Sequence, residues 1–329
     1  MTPSSGNPRK IIRGSLVWWL RFLGIVAFIF LLLQLPKAHD VQLFHIDLRW
    51  LGFCMLLTTL LLLLEAFIWQ WLLSAQGIRH PYPKTMQAYL ASQYLGLVTP
   101  GHVGEFLAAG YISMETGITF GYALSSVVMK KILNWVVIMG FGVWGLELLT
   151  HLTRMQSVRW VVLGSLAVLI VLAGGIWLWV VSLRRLAKKW QKLSPWQIDM
   201  TEFWSGFRTL ASPKLIVPLL CGVAGFWILV FQLEAVLRAL GIILPLALVA
   251  QIMAFSRIVA RVVPISVVGF GSKDAAVIGM LSEQGIDPSV GLAATLLFLV
   301  CTYLVTLLLS ALSWWVKPLI VRRARTARL

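Results

Sequence analysis

The sequence predicts an all-α polytopic membrane protein with about six transmembrane helices and two re-entrant hairpins in an inverted-topology repeat. Composition is the first basis for this prediction, because apolar residues fill 59% of the 329 positions and charged residues only 12%. An ordinary globular domain is about a quarter charged, so this chain lacks the residues for a soluble surface. The other two bases are six long apolar runs and two apolar segments interrupted by glycine and proline.

The net charge of +16 does not indicate nucleic-acid binding, because the basic residues flank apolar runs and form no single stripe. That placement is typical of membrane topology and of contact with anionic lipid. Cys54, Cys221 and Cys301 each lie inside an apolar run, with no metal-binding or disulfide spacing. We therefore expect three buried apolar side chains there, and we predict no cofactor and no metal.

A spanning helix needs about 20 apolar residues. Six runs qualify, at 16–35, 50–75, 132–150, 160–182, 214–237 and 289–315. The first is too long for a signal peptide and lacks a cleavage site, so we expect a retained helix. With the N-terminus inside, interior segments hold twenty Lys and Arg residues against five outside. The positive-inside rule thus predicts a bacterial cytoplasmic membrane protein with both termini cytoplasmic.

We predict that residues 1–329 form one membrane domain, which contains an internal repeat. Matching positions at a constant offset of 164 are Gly77, Ser92 and Pro100 with Gly241, Ser256 and Pro264, and Gly117 later matches Gly285. The predicted parts are repeat 1 at 50–150, a basic cytoplasmic loop at 183–213, repeat 2 at 214–315 and a basic tail at 316–329. The two copies enter their hairpins from opposite membrane faces, which is a recurrent transporter architecture.

The interrupted segments, near 85–115 and 245–282, are the predicted re-entrant hairpins. Irregular backbone at membrane depth is tolerated only where protein or water covers it, and glycine permits sharp turns and close approach. We therefore predict gating turns at Pro100, Gly101, Gly104, Pro264, Gly269 and Gly271.

The second hairpin concentrates ionisable residues, which are costly at membrane depth and usually functional. Arg257 and Arg261 are four apart and share one helix face. Pro264 is expected to end that helix, and Ser272-Lys273-Asp274 to open the next, whose N-terminus attracts anions. Together these groups predict a site for a phosphate. In the alternative interpretation, the arginines pair with Asp274 and Glu283 or extend to the headgroups.

The first hairpin offers Glu105, a candidate partner for Lys130, for Lys131 or for a cationic headgroup. Lys130 is either an interfacial anchor or a cavity-facing substrate contact. His102 titrates near neutral pH, although a histidine in a turn is more often a plain hydrogen-bonding residue. Glu65 and Glu234 are candidates for proton coupling, or else partners of nearby basic residues.

Two stretches carry a family resemblance. Residues 93–105, QYLGLVTPGHVGE, with 117–123, GITFGYA, resemble the first signature of the lysylphosphatidylglycerol synthase transmembrane-domain, or flippase-like, family. The segment from PIS at 264–266 through GFGSKDAA at 269–276, with Gly285-Ile286, resembles its second signature. The resemblance covers about 50–316. The chain departs from the family at Lys273-Asp274, where an Arg-Glu pair is expected, and at Lys130-Lys131.

The resemblance implies a membrane domain that moves a lipid across the bilayer. The family's best-understood branch joins it to a soluble aminoacyl transferase, which this sequence does not contain; other members accompany glycosyltransferases or isoprenoid-linked sugars. We expect a lipid flippase or a transporter of a lipid-linked anionic headgroup, with membrane lipids as partners. The alternatives are a lipid-modifying enzyme using Glu105 and His102 as acid and base, and a non-transporting glycosyltransferase partner. No catalytic motif occurs in the sequence.

Overall fold

The computed structural model describes residues 46–98, 100–153, 200–262, 266–267 and 270–316. These residues are almost entirely helical. The α-helices are α1 (Leu48–Ala75), α2 (Tyr82–Val98), α3 (Ala108–Thr116), α4 (Phe120–Thr153), α5 (Met200–Leu210), α6 (Ile216–Ala239), α7 (Leu246–Val262), α8 (Ser272–Glu283) and α9 (Pro288–Val316). Two 3-10 helices, Pro100–Leu107 and Pro213–Leu215, precede α3 and α6. Strands β1 (Ser266–Val267) and β2 (Phe270–Gly271) lie between α7 and α8.

Four helical segments of the described chain are long and apolar enough to cross a bilayer. They are Leu48–Ala75, Phe120–Gly142, Pro213–Ala239 and Pro288–Val316. At 1.5 Å per residue, the 28-residue α1 is about 42 Å long, which exceeds the roughly 30 Å of a hydrocarbon core. The protein is therefore a multi-pass membrane protein, as predicted. The predicted spans at 16–35 and 160–182 lie outside the described residues.

Helix α4 begins at Phe120, twelve residues before the apolar run that we assigned to this span. Its first three turns contain hydroxyl side chains that the hydropathy pattern treats as polar. Ser125 and Ser126 are both 0% exposed, and each donates a 2.7 Å hydrogen bond to a carbonyl three residues back. Carbonyl groups of the same helix accept the hydrogens of these hydroxyls. The helix can therefore begin in polar sequence, N-terminal to its apolar run.

Helices that are distant in the sequence pack against each other in pairs. Helix α1 lies against α6, α2 lies against α9, and α7 lies against α4. Large apolar side chains also point outward, including Leu56 at 63%, Leu220 at 63% and Leu312 at 60% exposure. A soluble protein rarely exposes so much apolar surface, whereas a membrane protein presents it to lipid.

Glycine ends the corresponding helices of the two halves. Gly77 follows α1 with φ 79° and Gly241 follows α6 with φ 75°. In each case the next residue, Ile78 or Ile242, donates a 2.9 Å hydrogen bond to a leucine carbonyl five residues back. Helices α2 and α7 then both run for 17 residues. Gly117 and Gly285 close α3 and α8 with φ 73° and 78°, so both halves use left-handed glycine caps at matching places.

Short regular elements lie between the helices of each predicted hairpin. In the first hairpin, Pro100–Leu107 form a 3-10 helix that includes Gly101 and Gly104. In the second, β1 and β2 form an antiparallel ladder that pairs Ser266 with Gly271 and Val267 with Phe270. The described strands therefore form a short ladder within the predicted turn at 264–271. Pro264 and Gly269 lie outside the described residues.

Candidate charged site between the hairpins

Charged side chains from both halves of the chain meet between the helices and define the central charge cluster. Its members are Glu65 of α1, Glu105 of the first 3-10 helix, Lys130 and Lys131 of α4, Arg257 and Arg261 of α7, and Lys273 and Asp274 of α8. The cluster thus includes every predicted substrate-binding residue and Glu65, one of the two proton-coupling candidates.

The first half of the chain contributes two ion pairs. Lys130 Nζ lies 2.7 Å from Glu65 Oε2, with side-chain exposures of 13% and 24%, and also sits 3.9 Å from the ring centroid of Tyr89. Lys131 Nζ lies 2.7 Å from Glu105 Oε2. Of the two lysines considered as partners of Glu105, Lys131 forms the ion pair in the structure. Adjacent lysines point to different elements because they are rotated by about 100° around the helix.

The second half contributes two arginines on one face of α7. Arg257 interacts electrostatically with Arg261, Asp274 and Glu65, and Arg261 with Glu105. Neither guanidinium forms an ion pair or a hydrogen bond with any described residue. The guanidinium carbon of Arg261 lies 5.0 Å from the ring centroid of Trp135. The alternative pairing with Asp274 and Glu283 is thus not formed as a direct contact.

The N-terminus of α8 completes the cluster. The helix begins at Ser272, where the sequence placed it, and Asp274 Oδ2 accepts a 2.8 Å hydrogen bond from the backbone N–H of Gly271. Asp274 Oδ1 lies 3.9 Å from Lys273 Nζ, and the Asp274 residue is 3% exposed. This carboxylate is therefore committed to capping its own helix, and its contact with Lys273 is loose.

A small cavity of about 20 Å³ lies against this end of the cluster. Its lining includes Ser256, Arg257, Lys273, Asp274 and Thr295. One water molecule needs about 10–15 Å³ of such volume. This cavity therefore has room for about one water molecule.

Glu234, the second proton-coupling candidate, lies apart from the central charge cluster. Glu234 accepts hydrogen bonds of 3.0 and 2.6 Å from Arg238 on the same helix, and Arg238 also lies 5.0 Å from the Trp50 ring centroid. The backbone of Pro100 and Gly101 opens the first 3-10 helix. The side chain of His102 lies outside the described part of the structure.

A buried polar network at the base of the first hairpin was not anticipated from the sequence. His80 Nε2 lies 3.0 Å from Glu115 Oε2, and its Nδ1 lies 2.7 Å from Thr85 Oγ1. The Gln70 amide nitrogen donates to the His80 carbonyl at 2.5 Å, so the Gln70 oxygen accepts the Thr85 hydroxyl hydrogen. We name the group of four side chains the His80 network.

The His80 network connects the loop after α1 with the last turn of α3. It therefore fastens together the two ends of the first hairpin. Sequence analysis missed it because its members lie at separations of 5 to 35 residues on three elements. No local spacing rule brings such residues together.

Comparison with known proteins identifies the family. The chain matches the family described as the lysylphosphatidylglycerol synthase TM region over residues 16–310. That range contains both predicted hairpins, three of the four described spans, most of the fourth (Pro288–Val316) and all members of the central charge cluster. The chain belongs to this family.

One relative of this family member is a UPF0104 membrane protein of Methanocaldococcus jannaschii. The two sequences are 22% identical over 95% of this chain and 96% of the relative. The similarity therefore runs the full length of the membrane domain. No solved structure matches the chain significantly.

Proposed function

We propose that this protein moves an anionic lipid headgroup across the cytoplasmic membrane, with Arg257, Arg261 and Lys273 holding the headgroup in transit. The observation that carries the proposal is the pair of guanidinium groups without ion-pair partners among the described residues. Both lie on the interior face of a helix in a membrane protein. Charged side chains at membrane depth are costly unless a partner neutralises them, so a bound anion would stabilise this arrangement.

Phosphate is the anion that fits these donors. A guanidinium presents planar paired N–H groups that match phosphate oxygens. The N-terminus of the 12-residue α8 adds the positive partial charge of a helix end beside Lys273. Phospholipids and other lipid-linked phosphates carry this group at the membrane surface, which supports a lipid substrate.

An inverted repeat supports transport rather than static binding. Helices α2 and α7 have equal length, glycine caps recur at matching places, and α2 packs on α9 as α7 packs on α4. Small residues recur too, because Gly142 and Gly145 of α4 match Ser310 and Ser313 of α9 at an offset of 168. Repeats that face opposite sides of a membrane permit alternating access to a central site.

The hairpins are the proposed gates. The central charge cluster draws residues from the first 3-10 helix and from α7 and α8, so movement of either hairpin changes access to it. In this scheme the acyl chains stay in lipid along the exposed apolar faces of α1, α6 and α9, while the headgroup crosses between the hairpins. The family description, which refers to a phospholipid synthase, is consistent with a lipid substrate.

The deciding experiment is headgroup translocation in proteoliposomes that contain purified protein and labelled anionic or zwitterionic lipids. We expect faster movement of anionic lipids, lost in the double variant Arg257→Gln with Arg261→Gln. Arg238→Gln is the matched control, since Arg238 lies in the separate Glu234 pair and its loss should leave the rate unchanged. Failure to accelerate any lipid, or full activity of the double variant, would contradict the proposal.

A further inference from the structure

The net charge of the central charge cluster indicates which ligand charge would neutralise it. Its five cationic side chains face three carboxylates, so the described cluster carries two positive charges in excess. The cations are Lys130, Lys131, Arg257, Arg261 and Lys273, and the carboxylates are Glu65, Glu105 and Asp274. The other described pairs, His80 with Glu115 and Arg238 with Glu234, are each internally matched.

The excess charge is localised on α7. Each carboxylate is adjacent to a lysine, at 2.7 Å for Glu65, 2.7 Å for Glu105 and 3.9 Å for Asp274. The two remaining positive charges are therefore Arg257 and Arg261. Four residues of α-helix separate them by about 6 Å along the axis, which places both guanidinium groups within reach of one phosphate or of two linked phosphates.

From this we infer that the ligand is a doubly charged phosphate, a lipid phosphomonoester or diphosphate, in preference to a singly charged phosphodiester; the lipid part of this inference rests on the proposed function. A dianion neutralises the cluster, a phosphodiester leaves one positive charge, and a zwitterion leaves two. Uncompensated charge in a low-dielectric site is unfavourable, so affinity follows that order. We expect a preference of roughly tenfold or more for the dianion, the scale of one charge-assisted hydrogen bond.

The test is ligand-induced thermal stabilisation of the purified full-length protein in uncharged detergent at pH 8, where a phosphomonoester is doubly ionised because its second pKa is about 6. The probes are short-chain phosphatidic acid, phosphatidylglycerol and phosphatidylcholine, titrated to obtain apparent affinities from the shift in Tm. The wild type should bind phosphatidic acid most tightly. Inorganic phosphate and diphosphate, added alone and as competitors, show whether the lipid portion is needed.

Three variants separate charge from structure. Arg257→Gln removes one excess charge, so the preference for phosphatidic acid over phosphatidylglycerol should shrink toward parity, while Arg257→Lys should retain it. Arg238→Gln, which alters a pair outside the cluster, should keep the wild-type ratio. Equal affinity for the two lipids in the wild type, or an unchanged ratio in Arg257→Gln, overturns the inference.

The outcomes also distinguish this inference from the proposed function. If phosphatidylglycerol and phosphatidic acid bind and cross equally well, lipid transport stands and the dianion preference is wrong. If no lipid binds or crosses, the proposed function itself fails. If free diphosphate competes as strongly as phosphatidic acid, the dianion preference is supported and a lipid substrate is contradicted.

Discussion

At the scale of single residues, the Glu65–Lys130 contact ties α1 to α4 within the membrane domain. Replacing Glu65 with Gln leaves the Lys130 ammonium unpaired and mostly buried. Breaking a buried pair in this way costs about 3–5 kcal/mol in soluble proteins, and the partial exposure of both side chains reduces our expectation to roughly 2 kcal/mol. Thermal or denaturant unfolding in detergent measures the change.

The control for Glu65→Gln is Glu234→Gln, because Glu234 belongs to an i,i+4 pair with a more exposed partner and should contribute less than about 1 kcal/mol. The reciprocal exchange, Glu65→Lys with Lys130→Glu, should recover part of the lost stability. If Glu65→Gln proves as mild as Glu234→Gln, the contact has no structural role.

Residue spacing predicted which charged residues of the second hairpin lie together, but it did not predict their contacts with other helices. The four-residue interval between Arg257 and Arg261, with Ser272-Lys273-Asp274 after a Pro/Gly-rich turn, was enough to place these groups together. The partner of Glu105 was not predictable, because neighbouring lysines point in different directions and only tertiary packing selects one. The aromatic faces of Tyr89 and Trp135 against the cations depend on contacts between helices distant in sequence.

At the scale of elements, Gly104 decides how closely the first 3-10 helix approaches α2. A Cβ at this position would overlap the backbone carbonyl of Leu95 and lie 2.7 Å from the backbone nitrogen of Gly96. Backbone cannot move aside as a flexible side chain does, so Gly104→Ala should destabilise the fold by at least about 1–3 kcal/mol, the range for overpacking. A lower Tm and a lower yield of monodisperse protein would report it.

Gly140→Ala is the matched control, because an added Cβ there meets nothing within 4 Å. Alanine also favours helix over glycine by about 1 kcal/mol, so this variant should be neutral or slightly more stable. A Gly104→Ala protein as stable as Gly140→Ala would show that the close approach is not required.

Elements were predictable where apolar length or a breaker residue marked them. The end of α7 followed from Pro264, and the long apolar runs marked α1, α6 and α9. The early start of α4 was hidden because buried serines satisfy their hydroxyls within the helix. The ladder between β1 and β2 has only two residues per strand, too short for an alternating pattern.

At the scale of the whole molecule, the proposed inverted repeat makes a prediction about sidedness. The loop between α1 and α2 should face the cytoplasm, and the loop between α6 and α7 the opposite side. Arg79 and Ile243 are exposed in these loops. In a background without the native cysteines, an impermeant maleimide should label Ile243→Cys in intact cells, and Arg79→Cys only after permeabilisation. Labelling of both from one side would rule out the inverted arrangement.

The His80 network should make the first hairpin stiffer than the second. At the positions of the second half that match His80, Thr85 and Glu115, the chain has Leu244, Val249 and Glu283, and the last of these is exposed. No equivalent fastening joins the ends of the second hairpin among the described residues. We expect the first hairpin to stay fixed during transport. The second hairpin, which contains Arg257 and Arg261, should move relative to it. The two halves have matching helices, but the two open states of the proposed transporter would then have unequal populations.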